Sequence, residues 1–259
     1  MHESKAGKPW KETLRLGVSL AVADFKLRNE GSYLGILWYL LNPLLLFVIL
    51  LFIKGAAFSK TAILHYPIFL LFGLVLNNFF TKLIRSSTDL IRKNGALLKT
   101  VRFDSRALVV SEFLQIAFSH FFEVLLIVFF MSYFKVSLSG LAWYPVVFSF
   151  FALFMIGASF LAAAMGIFVY DLGNVWDAVS SLIFFITPTF YVIDQSTLLY
   201  KVNLFNPLYY YLTIFRDLVV YGTIPPARML LFAALMSLVS FSIGFKVFEL
   251  RKKRFSELV

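Results

Sequence analysis

Six stretches of this chain are too long and too apolar for the helices of a soluble core. They run roughly 34–53, 66–84, 107–134, 143–168, 177–192 and 229–248. Crossing ~30 Å of hydrocarbon takes about 20 helical residues, and these segments have that length and character. The fifth is short, and Pro188 interrupts it. None alternates strictly with period two, which argues against a β-barrel. Composition supports the reading: 60% of the residues are hydrophobic and only 15% charged, against about a quarter charged in soluble domains. That much apolar surface cannot be hidden within 259 residues, so a bilayer must cover the rest. The expected fold is all-α: one polytopic domain over 1–259 with six transmembrane helices.

Asn42-Pro43 falls inside the first span, where Pro43 frees the carbonyl of Tyr39. Such a kink is tolerated in a membrane if a neighbour or the Asn42 amide satisfies that carbonyl. Ahead of the span, residues 10–30 place Trp10, Leu14, Val18, Ala21 and Phe25 at helical spacing, with Lys11, Arg15 and Lys26 off that stripe. This reads as an interfacial amphipathic helix. About thirty polar and charged residues precede the first span without a short apolar core and cleavage site, so a cleavable signal is not expected.

The net charge of +10 is a topology signal. Residues 1–33, the connection 81–106 and the tail from Lys246 hold eighteen of the 24 Lys and Arg. The positive-inside rule then puts both termini in the cytoplasm of a multi-pass inner (plasma) membrane protein, with anionic lipid at its basic surface. No nucleic-acid partner is expected. Zero cysteines exclude disulfides and thiolate chemistry.

Two connections are too apolar to be free loops. Residues 91–104 mix Arg92, Lys93, Lys99 and Arg102 with Ile91, Leu97, Leu98, Val101 and Phe103. That pattern fits a short amphipathic helix, either docking into a soluble partner or lying on the membrane. Residues 193–228 contain NPLYYYLTIFRDLVVYG, which fits re-entrant helices on the outer side, covered by protein or lining a cavity.

Glu112 and Glu123 lie eleven residues apart in the third span and share a face with Gln115 and Ser119, with His120 adjacent. Intramembrane carboxylates are functional candidates by default. Interhelical hydrogen bonding is the plainer role and is preferred for Glu112; for Glu123 both stay open. His120-x-x-Glu123 has metal-ligand spacing but no second pair, so no metal site is expected. Gly157, Ala158, Ser159, Ala162, Ala163, Ala164 and Gly166 form small-residue ridges for close helix packing. There is no phosphate-binding loop, H-E-x-x-H or G-x-S-x-G. No catalytic residue and no cofactor of its own is expected.

Four stretches carry a family resemblance: GSYLGILWYLLNPLL at 31–45, RKNGALLKTVRFDSRAL at 92–108, DLGNVWDAVSSLIFFITPTFY at 171–191 and NPLYYYLTIFRDLVVYG at 206–222. In order and spacing they resemble the permease subunits of polysaccharide-exporting ABC transporters, of the O-antigen exporter (Wzm) type. The family often has proline where this chain has Asp104 and Val192. The resemblance implies a homodimer enclosing a pathway, and two cytoplasmic ATPase subunits that bind ATP and Mg. It implies a lipid-linked polysaccharide as substrate. The helix at 91–104 would be the coupling helix, through Arg92, Lys93, Leu97, Leu98, Lys99, Arg102 and Phe103. The region 193–228 would form an outer gate, through Asn206, Pro207, Tyr209, Tyr210, Arg216 and Asp217. Asn42, Pro43 and Pro188 would be kinks.

Aromatic residues make up 19% of the chain, and rings stack on sugar C–H faces without holding one sugar tightly. Tyr39, Phe47, Phe184, Phe185 and Tyr191 are the candidates to line a path. Two alternatives keep the fold and change the cargo: teichoic acid or capsule polymer, and a drug or small lipid. A more distant one is a membrane enzyme on lipid-linked sugars, which needs Glu112, His120 and Glu123 to converge. A passive channel or scaffold leaves the amphipathic 91–104 segment unexplained.

Overall fold

A computed structural model describes residues 10–29, 38–57, 63–101 and 103–255. Among these the elements are helical: α1 (Trp10–Asn29), α2 (Trp38–Ala57), α3 (Tyr66–Lys93), α4 (Gly95–Thr100), α5 (Arg106–Tyr133), α6 (Tyr144–Gly166), α7 (Leu172–Ile186), α8 (Leu198–Asn203), α9 (Pro207–Phe215) and α10 (Ala227–Arg251). A 3-10 turn (Ser139–Trp143) leads into α6, and a π-helical segment (Arg216–Tyr221) continues α9.

Among the described residues, four helical stretches are long and apolar enough to cross a membrane: those of α3, α5, α6 with its leading turn, and α10. Residues 40–54 within α2 and all of α7 are apolar but shorter. The expected span 34–53 is therefore described only from Trp38, and α2 carries Pro43 without ending. The second span reaches Lys93, well past 84. The fifth is corrected: its helix runs Leu172–Ile186 rather than 177–192. Thr187 takes an extended conformation with ψ 139°, which a following proline enforces. Pro188 therefore ends the helix instead of kinking it.

α3 is the central helix and packs against α2, α5, α6, α7 and α9. Its aromatic centre is Phe79, with rings of Phe113, His120, Phe148 and Phe151 between 4.9 and 6.1 Å away. At the other extreme, α10 leaves Leu231, Leu235, Leu238, Val239 and Ile243 about half exposed or more, an apolar face that calls for cover outside this chain.

The small-residue ridges of α6 do what their composition demands. A methyl on Gly157 would overlap the backbone of Ser240 and Phe241, one on Gly244 the Gly157 carbonyl, and one on Gly166 the Thr88 carbonyl of α3. Close approach lets hydroxyls bridge the helices: Ser240 Oγ donates to Phe154 O (2.8 Å) and Ser237 Oγ to Phe150 O (2.8 Å). Without a hydrophobic drive between helices in lipid, packing and such bonds hold the bundle.

Candidate functional site

The basic end of the bundle is a joint between three chain segments. Asp104, at the entrance to α5, accepts from the Arg106 backbone N–H (3.0 Å) and from Arg106 Nε (2.7 Å). Arg106 also lies 3.7 Å from Glu249 of α10 and stacks its guanidinium over the ring of Trp10 of α1. Lys252 reaches Glu249 at 2.6 Å. Burial pushes the Asp104 carboxyl up, but the Arg106 hydrogen bonds and charge outweigh it and hold it below the usual carboxylate range. Asp104 thus supplies a local tie where the family often has proline.

The expected 91–104 helix is corrected to two pieces. Ile91 and Arg92 belong to α3, and only Gly95–Thr100 forms a separate helix. Arg92 pairs with Asp89, donates to Tyr170 O at 3.2 Å and stacks over the Tyr170 ring, which binds α3 to the α6–α7 connection. Leu97, Leu98 and Phe103 pack against a core of Leu90, Leu108, Val109, Phe160 and Phe248. The apolar set is thus largely spent inside the chain. Lys93, Lys99 and Val101 are the exposed members, and Arg102 lies outside the described residues.

Between α2, α3 and α7 lies a cavity of about 310 Å³. Asn42 and Pro43 of α2, Asn77, Asn78 and Thr81 of α3, and Ser180 and Ser181 of α7 give it amides and hydroxyls. Phe184 and Phe185 supply its rings. Asn77 Oδ1 and Thr81 Oγ1 are buried without a hydrogen-bond partner among the described residues. The α3–α7 contact beside it is fixed by Trp176 Nε1 donating to Thr81 O (3.0 Å) and by Arg85 Nε donating to Asp177 (3.0 Å). A methyl on Gly173 would sit 2.7 Å from Arg85 Cζ, so glycine there lets the guanidinium cross.

Of the aromatic candidates whose side chains are described, Phe184 and Phe185 line this cavity. Phe47 is corrected: it is 1% exposed, its ring 5.0 Å from Phe130, so it is packing between α2 and α5. Tyr39 sits in the first turn of α2, its side chain outside the described residues. Tyr191 turns its hydroxyl back onto Phe185 O and Ile186 O (2.7 and 2.8 Å), capping the end of α7. It borders a separate cavity of about 370 Å³ with Lys54, Tyr66 and Phe190.

The region 193–228 holds two short helices and the π segment. Asn206 caps α9 by accepting from Leu208 N (3.1 Å), while its Nδ2 donates to Thr187 Oγ1 (2.7 Å); Pro207 takes the first helical position. Tyr209 packs its ring against Tyr200 and Tyr210. Tyr210 donates to Leu204 O (2.9 Å), and Tyr211 reaches Ser237 of α10 (2.7 Å). Arg216, 4% exposed, forks onto the carbonyls of Phe69, Pro188 and Thr189. The neighbouring Asp217 gives its backbone carbonyl to Thr223 N (2.8 Å), closing the π segment. Arg216 therefore clamps the break after α7 to the start of α3.

Glu123 is 3% exposed and accepts from Asn78 of α3; His120 links it (3.1 Å) to Tyr144 of α6 (2.6 Å). This is interhelical bonding. Glu112 stands three turns away, about 16 Å along α5, so the three side chains an enzyme would need do not converge. Asn77, Asn78, Thr81, Lys82 and Arg85 are not among the sequence-derived site candidates, although NNFFTKLIRSSTDL repeats polar residues at helical spacing.

A family model described as "ABC-2 type transporter" matches residues 17–220. The chain is 27% identical over 249 residues to a Myxococcus xanthus protein named "O-antigen export system permease protein RfbA", covering 93% of this chain and 94% of that one. Two Klebsiella pneumoniae proteins of the same name are 26% identical over 241 residues and 24% over 239, each match covering 91% of this chain and 92% of the relative.

Proposed function

Because this chain belongs to the ABC-2 type transporter family, we propose that it is the membrane permease of an ATP-driven exporter of a lipid-linked, O-antigen-like polysaccharide. In this reading two copies form the pathway across the inner membrane, and two separate ATPase subunits bind the nucleotide and metal. The family fixes the coarser part: a multi-pass transport subunit. The names of its relatives point to the polymer, and one structural observation supports that reading.

That observation is the cavity between α2, α3 and α7. Amides and hydroxyls of Asn42, Asn77, Ser180 and Ser181 meet the rings of Phe184 and Phe185 there. Hydroxyl-bearing cargo needs such partners, and rings give contact without a tight hold. An apolar drug would leave the amides unsatisfied at a cost of about 1–3 kcal/mol each. At the cytoplasmic surface, Lys93, Lys99 and Val101 are exposed and are the groups of 91–104 that we assign to meet an ATPase. In the outer connection, the Arg216 clamp gives the gate region a fixed base.

Affinity purification in mild detergent tests the assembly, and surface polymer tests the cargo. A soluble ATPase should co-purify with the wild type and be lost with Lys93→Glu/Lys99→Glu at unchanged thermal stability. Ser180→Leu/Asn77→Leu should cut surface polymer at least tenfold while the ATPase still binds. Full polymer export by that double variant would sink the path assignment.

A further inference from the structure

Helix α7 is held very differently at its two ends. Contacts along it set it antiparallel to α3: Tyr170, just before α7, meets Arg92, Asp177 meets Arg85, and Thr189, just after α7, is joined through Arg216 to Phe69. The end at Ile186 is sealed. Ile186 O accepts from Asn203 Nδ2 (2.9 Å), Thr187 Oγ1 from Asn206 Nδ2 (2.7 Å), and the Pro188 and Thr189 carbonyls from Arg216 (2.7 Å each). Thr187, Thr189 and Asn203 are wholly buried, so breaking these bonds would strand polar groups away from water.

The opposite end, on the basic side of the bundle, rests on two lighter ties to α3. Arg85 Nε donates to Asp177 (3.0 Å) with side chains 34% and 56% exposed, and Trp176 Nε1 donates to Thr81 O (3.0 Å). An exposed ion pair contributes little net stability. Arg85 also has a second acceptor on its own helix, Asp89 at 2.5 Å. Letting go of Asp177 therefore leaves the guanidinium paired and returns the carboxylate to water. Among the described residues, α7 buries only Gly173 and Ser180 against the rest of the chain. Arg85 and Asp177 lie one helical turn from Thr81, Ser180 and Ser181 of the α2–α3–α7 cavity, on its basic side. Thr187, extended at the sealed end, is where such a helix can pivot, since hinges fall at element termini.

We propose that α7 is a hinged flap: it pivots at Thr187 and Pro188, and the Arg85–Asp177 pair is the catch that shuts the cavity toward the basic end of the bundle. Use of that opening by cargo rests on the export reading above; the catch itself does not.

The chain has no cysteine, so Ser180→Cys, at a buried position, gives a single reporter thiol. The test treats inside-out membrane vesicles of the full chain with a cationic, membrane-impermeant methanethiosulfonate. Labelling should be slow, and Asp177→Asn should speed it about two- to fivefold, the worth of an exposed ion pair. Removing a carboxylate disfavours a cationic reagent electrostatically, so the faster rate reads opening and not attraction. Adding Trp176→Phe should bring the gain to about tenfold, whereas Asp177→Glu should keep the slow rate. Asp177→Asn should lower Tm by no more than about 4 °C, because the sealed end is untouched. An unchanged rate in Asp177→Asn would overturn the catch. So would faster labelling with a larger fall in Tm, which marks general loosening. Should Ser180→Cys fail to fold, Thr81→Cys on the facing wall reports with the same outcomes. These rates are read without polymer or nucleotide, so the flap and the export reading fail separately: loss of surface polymer on depleting the chain bears on the second alone.

Discussion

Arg216→Leu removes four hydrogen bonds from one buried point. The guanidinium donates to Phe69 O (3.2 and 2.8 Å), Pro188 O (2.7 Å) and Thr189 O (2.7 Å), and stands 3.3 Å over the Phe69 ring. Phe69 O lies within α3 and keeps its helical partner. Pro188 and Thr189 lie in non-helical backbone, so leucine strips their carbonyls, at about 1–3 kcal/mol each. Against that, a buried cation is no longer desolvated, which returns part of the loss. The net expectation is a destabilisation of about 2–4 kcal/mol. For a chain of this size that is a fall in Tm of roughly 4–16 °C, read by thermal unfolding in detergent.

Arg216→Lys separates charge from geometry. A lysine ammonium is a single donor point on a shorter side chain and cannot span all three carbonyls as the separate nitrogens of the guanidinium do, so lysine should recover little of the loss. Gly73→Ala attacks the same clamp from the other side, since its methyl would lie 2.8 Å from Arg216 Nη2 and overlap Thr189 O. It should lower Tm to a similar degree. Wild-type stability in Arg216→Leu, or clear rescue by lysine, would refute the clamp.

Two further outcomes follow from the packing and from the basic end. Gly244→Ala places a methyl into the Gly157 carbonyl, so α6 and α10 must part and lengthen the Ser240 and Ser237 bridges; a loss of about 1–3 kcal/mol is expected, and unchanged thermal unfolding would contradict the crossing. The Asp104 carboxyl is held below its ordinary value of 3.8. Its contribution to stability is therefore complete above that value and is lost as pH falls through the lower folded value. Asp104→Asn should narrow the stability gap between pH 7 and pH 3, and an unaltered pH profile would count against the Asp104–Arg106 tie.

The helices were legible because length and hydropathy are local properties. α3, α5, α6 and α10 sit where the apolar runs put them, and the glycine and alanine ridges of α6 meet backbone as their size requires. What was not legible was facing. Phe47 and Phe185 are the same residue type in similar apolar surroundings, yet one is sealed against Phe130 and the other is 65% exposed. Nothing in either local sequence decides that. The same holds for Leu97, Leu98 and Phe103, whose amphipathic pattern fitted a partner but is answered by Leu90, Leu108, Phe160 and Phe248 of this chain. A pattern shows that an apolar face needs cover; only the fold shows who supplies it.

The end of the second span shows the converse error. A hydropathy window closes at residue 84 because Arg85, Ser86, Asp89 and Lys93 lower its average, yet the helix runs unbroken to Lys93. Composition treats those residues as the end of a span, whereas position along the helix treats them as a stripe continuing Asn78, Thr81 and Lys82. A helix ringed by protein can hold such a stripe where a lipid-facing helix cannot, and α3 has neighbours on nearly every side. Its polar face is thus a consequence of its central place, and the cavity it shares with α2 and α7 opens along that face. Polar residues that recur every three to four positions beyond an apolar run therefore mark a buried helix with a wet side.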